Sequence, residues 1–104
     1  PAGATPKDGP SAGIAMATAL VSLARGRAPR KGLAMTGELT LTGHVYPVGG
    51  IREKLVAARR QGLKRVILPE ANRHDVDEVP ASITEGLEIH YAETLEAVIA
   101  VAFG

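Results

Sequence analysis

The chain has 104 residues, 45% of them apolar, yet only two Tyr, one Phe and no Trp, so it is long enough for one domain built on an aliphatic core. A formal net charge of +1 gives no global field demanding nucleic acid or an acidic partner, and the lack of cysteine excludes disulfides, thiolate catalysis and Cys-ligated zinc while fitting a reducing cytoplasm. No apolar run approaches the ~20 residues of a membrane span and no signal peptide is legible, so no membrane role is expected.

The chain starts without Met, at Pro1-Ala2-Gly3-Ala4-Thr5-Pro6, and reads as the interior of a longer protein. Residues 1–10 form a Gly/Pro-rich loop. Residues 11–24 read as a helix that is apolar nearly all round (Ile14, Met16, Leu20, Val21, Leu23), which predicts a central position. The basic, turn-rich segment 25–32 reads as a solvated loop, with a phosphate-binding patch as the alternative. Residues 33–41 read as one strand, in which Gly37 marks a bulge or a close backbone approach. Thr42-Gly43 is a hairpin-type turn, and the chain returns over 44–48, where Pro47 ends the strand or places it at an edge.

Gly49-Gly50 is a second turn, and it opens a helix over 51–61 with Ile51, Leu55 and Ala58 on one face and Gly62 at its C-terminal stop. Residues 65–69 are a short buried strand stopped by Pro69. A polar stretch with a short helix around 72–76 follows, then Val79-Pro80, one further turn over 81–85 and Gly86. Residues 87–91 alternate as a strand, and Thr94 caps a last helix over 95–103. The order predicts a mixed α/β domain.

Two residues stand at matching places. Gly9 and Pro10 punctuate a tight turn, Asp8 or Gly9 suits the N-cap, and Ser11 falls in the first helical turn, followed by the small Ala12 and Gly13. Free backbone N–H groups and the positive end of a helix dipole favour an oxyanion formed beside a nucleophile there. The same position suits a serine that only satisfies backbone donors. Lys54 falls in the first turn or so of the helix after Gly49-Gly50, where a cation is disfavoured, so the neutral amine that a general base requires is favoured. The pair reads as a Ser–Lys dyad, and the alternative for Lys54 is a solvated lysine in an i±4 pair. Asp75 and Asp77 read as a solvated face. His44, His74 and His90 are too scattered in sequence for a triad, and no phosphate-loop motif is present.

The run Pro6-Lys7-Asp8-Gly9-Pro10-Ser11-Ala12-Gly13 resembles the nucleophile motif of the Lon family of ATP-dependent proteases. Thr36-Gly37-Glu38-Leu39-Thr40-Leu41-Thr42-Gly43 and Val48-Gly49-Gly50-Ile51-Arg52-Glu53-Lys54 resemble that family's second signature, and Arg65-Val66-Ile67-Leu68-Pro69 its following strand. The serine motif looks most like the soluble bacterial type. The resemblance implies a Lon-type proteolytic domain with a small mixed sheet, a β-hairpin and packed helices, lacking the strands that precede the serine motif in the family. It implies Ser11 as nucleophile, Lys54 as general base, Thr36 orienting the amine, and Asp8, Gly9 and Pro10 shaping the oxyanion site.

The resemblance also implies an endopeptidase of unfolded or damaged protein, cytoplasmic, working in a homo-oligomer, a hexameric ring. No cofactor or metal is implied in this domain; ATP and Mg belong to an ATPase module elsewhere in the family's full-length proteins, which also have possible DNA binding. The alternatives are a non-proteolytic structural or DNA-interacting module of the kind found in RadA-like repair proteins, and an oligomerisation piece.

Overall fold

The computed structural model describes residues 13–104. Helix α1 (Gly13–Arg25) is followed by strands β1 (Leu33–Met35), β2 (Glu38–Leu39) and β3 (Val45–Tyr46), then helix α2 (Ile51–Arg60) and strand β4 (Arg65–Pro69). A 3-10 turn (Glu70–Asn72) runs into α3 (Arg73–Asp77), and α4 (Ala81–Thr84), strand β5 (Glu88–Ala92) and α5 (Leu95–Phe103) complete the order. The chain is mixed α/β, with a parallel three-stranded sheet in the order β1-β4-β5 and an antiparallel β2-β3 hairpin.

β4 is the middle of the sheet. Val66, Ile67, Leu68 and Pro69 are all buried, a continuous apolar run that suits a parallel strand covered on both faces. Its side chains divide between two cores. Val66 and Leu68 pack with Ile51, Leu55, Ala58 and Val79, whereas Ile67 packs with Ile14, Val45, Ala92 and Val98. Helices α2, α3 and α4 therefore cover one face, and α1 and α5 the other. Leu33 pairs with Arg65 and Arg65 with Glu88, so the sheet grows in one direction, and the helices of both crossovers, α2 and then α3 and α4, lie on the same face.

Local signals account for several elements as read from the sequence. Ile51, Leu55 and Ala58 form the buried stripe of α2. That helix ends with Gly62 at φ 72°, with Gly62 N–H donating to Arg59 O and Leu63 N–H to Ala58 O, both bonds of a Schellman stop. Thr94 Oγ1 accepts the Ala97 N–H at 3.2 Å, capping α5.

Residues 33–41 do not form one strand. The β1 ladder reaches Thr36, whose N–H donates to Ile67 O at 3.1 Å. At Gly37 the chain leaves the parallel sheet for the hairpin. A Cβ on Gly37 would meet Val45 Cγ1 at 2.9 Å, Pro69 Cγ at 3.3 Å and Ile14 Cδ1 at 3.4 Å, so the break is a three-way close approach that needs a residue without a side chain.

Among the described residues, helix α1 meets neighbours on one face only. It buries Ile14 and Thr18 and packs on β2 and α5, while Met16, Leu20 and Leu23 remain 65%, 63% and 79% exposed. The basic segment that begins with Arg25, the last residue of α1, has a structural task at the end of α5. The Arg25 and Arg27 guanidinium groups lie 5.2 and 5.9 Å from the centroid of the Phe103 ring. Arg27 Nη2 donates to Phe103 O at 2.6 Å, and Arg30 N–H to Ala102 O at 2.7 Å. Cations and donors gathered at a helix C-terminus match its orphan carbonyls and dipole.

Candidate active site

The start of α1 is held against the hairpin by backbone. Ile14 N–H donates to Gly37 O at 3.1 Å, and a Cβ on Gly13 would stand 2.9 Å from Leu39 N. The small residue at position 13 thus serves a close helix–strand approach. Thr36 is buried at 3% exposure, one residue before the carbonyl that receives Ile14. Ser11, Asp8, Gly9 and Pro10 lie outside the described residues.

Lys54 closes the first turn of α2, its N–H donating to Gly50 O at 3.0 Å, and its side chain is exposed. Gly50 is the N-cap in a left-handed conformation, φ 73°, with no side-chain cap bond. Among the described residues no atom lies within van der Waals reach of a Cβ added at Gly49, and none of their side chains packs on the turn at that position. Glu53 adds a carboxylate to the first turn, where the helix dipole favours it.

The tether lies one residue earlier and comes from across the chain. Asn72, only 2% exposed, accepts the Val48 N–H on Oδ1 at 3.0 Å and donates from Nδ2 to Val48 O at 2.9 Å. Its other Nδ2 hydrogen goes to Asp75 Oδ2 at 2.6 Å. Asn72 thus binds Val48 as a neighbouring strand would. The sequence carries no sign of this: in Glu70-Ala71-Asn72-Arg73 an Asn reads as an ordinary helix-start residue, and its partner is 24 residues away.

The β2-β3 hairpin is the hub of the region. It receives the first turn of α1 at Gly37 to Leu39 and delivers the chain through Pro47 and Val48 into α2. A cavity beside it is lined by Glu38, Pro47, Val48, Gly49, Asn72 and Asp75. The first turn of α1, from Gly13, and the chain entering α2 are therefore both tied to one small antiparallel unit.

Groups with displaced titration belong to other clusters. The Arg73 guanidinium, bonded to Glu70 at 2.8 Å, holds that carboxyl below its ordinary value. His90, 2.6 Å from Glu88, does the same for Glu88. Burial pushes the Tyr91 phenol up, and Arg73 stacks 4.0 Å from the centroid of its ring. His44 and His74 are exposed. Among the described residues no group of three or more His, Cys, Asp or Glu side chains could hold a metal ion.

Comparison with known proteins bears on the whole chain. The family model described as Lon protease (S16) C-terminal proteolytic domain matches residues 1–104. Lon protease 2 of Hydrogenovibrio crunogenus is 61% identical over 103 residues, covering 99% of this chain and 12% of that protein. Lon protease 1 of Syntrophotalea carbinolica is 59% identical over 104 residues, covering 100% of this chain and 13% of that protein. The mitochondrial Lon protease homolog of Drosophila melanogaster is 59% identical over 103 residues, covering 99% of this chain and 10% of that protein. The chain thus spans only about an eighth of the length of the first two relatives.

Proposed function

The chain belongs to the Lon protease C-terminal proteolytic domain family, and from that premise we propose that it carries a Ser–Lys dyad of a serine endopeptidase. Ser11 is the nucleophile and Lys54 its general base. The observation that carries the reading is the match of the whole chain to that family, with both signatures intact. The hairpin that anchors the first turn of α1 and leads into the start of α2 supports it, since Gly13 is two residues after Ser11 and Lys54 is in the first turn of α2.

The chemistry is acyl transfer. The neutral Lys54 amine takes the proton from Ser11 Oγ as the oxygen attacks a peptide carbonyl. Backbone N–H groups around Gly9, Pro10 and Ser11, excepting the proline nitrogen, stabilise the tetrahedral oxyanion, with Asp8 shaping the turn. The lysine returns its proton to the departing amine. Water, deprotonated in the same way, then releases the acyl group and restores Ser11. Thr36 orients the amine.

In the full-length protein this domain acts within a homo-oligomeric ring, a hexamer, on unfolded polypeptide. ATP and Mg act in a separate ATPase module, and the domain's own chemistry uses no cofactor. No helix among the described residues is long and apolar enough to cross a membrane, and a cytoplasmic setting is proposed. In full-length protein, Ser11→Ala and Lys54→Ala are each expected to abolish peptide hydrolysis with the fold kept. Near-normal turnover by either variant would overturn the dyad.

A further inference from the structure

We infer that Asn72 is a positioning residue for Lys54, an inference that rests on the reading of Lys54 as the general base. Three features of the α2 start carry it. Its N-cap residue is Gly50, which carries no side chain to cap it. The helix begins directly after Gly49-Gly50, a pair whose wide backbone freedom leaves the helix direction undetermined by the turn. The residue before that pair, Val48, is held at both its N–H and its C=O by one buried amide, that of Asn72. Lys54 sits a single helical turn beyond Gly50. The amide is itself oriented by Asp75, whose Oδ2 takes the second Nδ2 hydrogen and so fixes which end of the amide faces which Val48 group.

The clamp explains a choice of side chain that burial alone does not. An apolar residue at position 72 would fill the space but leave Val48 N–H and C=O without their partner. An aspartate of the same shape accepts from Val48 N–H, yet sets a carboxylate oxygen against Val48 O and against the Asp75 carboxylate. Only a group with an acceptor and two donors in amide geometry serves all three neighbours. A general base must lie within hydrogen-bond reach of its nucleophile, and a displacement of about 1 Å lowers the rate by about a hundredfold.

The test uses the full-length protease, with a fluorogenic peptide for turnover and a serine-directed phosphonofluoridate for the acylation step. Lys54→Ala is carried alongside. For Asn72→Asp we expect kcat to fall about 10- to 100-fold with KM changed by less than about twofold, and labelling of Ser11 to slow by the same factor as kcat. Should this variant fail to fold, Asp75→Ala replaces it. That variant leaves both bonds to Val48 available but frees the amide to rotate, and an about threefold slower labelling is expected.

A lowered unfolding midpoint with wild-type kcat and labelling in the folded Asn72→Asp enzyme overturns the inference, as does unchanged labelling in Asp75→Ala. If these occur while Lys54→Ala is unlabelled, the dyad stands and only the role of Asn72 falls. Labelling retained by Lys54→Ala overturns the dyad itself, and the inference with it.

Discussion

Gly13 and Leu39 meet so closely that a methyl group placed on Gly13 would lie 2.9 Å from the Leu39 backbone nitrogen. Helix and hairpin are in backbone contact, and the adjoining Ile14 N–H to Gly37 O bond, 3.1 Å, shares that approach. Gly13→Ala sets two effects against each other. Alanine favours the helix by up to about 1 kcal/mol. The clash, against backbone that no rotamer change can relieve, costs about 1–3 kcal/mol. We expect a net loss of stability and a fall in peptide hydrolysis, measured by urea unfolding and by turnover in the full-length protease. A variant more stable than wild type would show that the contact relaxes freely.

Leu55 is fully buried between α2 and the Val66–Leu68 face of β4. Truncation there leaves a cavity walled by Ile51, Ala58 and Val79, elements that cannot all move inward. Leu55→Ala is expected to cost about 2–5 kcal/mol in urea unfolding. The neighbouring Arg52→Ala, on the exposed face of the same helix, is expected to stay within about 0.5 kcal/mol of wild type. Similar losses from both would place the core elsewhere.

Glu70 receives both Nε and Nη2 of Arg73, at 2.8 and 3.0 Å, and its carboxyl is held below the ordinary value of 4.5. A depressed folded value means that the pair stabilises the fold fully above pH 4.5 and loses its effect as pH falls through the lowered value. The site is open to solvent, so the effect is small and weakens with salt. Unfolding midpoints of wild type and Glu70→Gln, followed downward in pH, should differ at neutral pH and converge below that window. A gap that stays constant throughout would show that the carboxylate charge is not its source.

The sequence by itself determined the elements whose code is local. The i, i+4, i+7 stripe of Ile51, Leu55 and Ala58, the stop at Gly62 and the cap at Thr94 each involve partners within about one or two helical turns, and each is found where the pattern puts it. The two signatures around Ser11 and Lys54 were legible for the same reason: each is a contiguous run. The tertiary structure decided what depends on distant partners. It split residues 33–41 between two sheets, because Gly37 is pressed on by Val45, Pro69 and Ile14. Among the described residues it gave α1 neighbours on one face only, through Ile14 and Thr18, a division that the apolar composition all round the helix does not mark. It turned a basic loop into the closure of α5 through Arg25, Arg27 and Phe103. And it gave Asn72 the Val48 backbone to hold, a partner 24 residues back that no periodicity can point to, since hydrogen-bond partners across a fold are chosen by how the chain packs and not by their spacing along it.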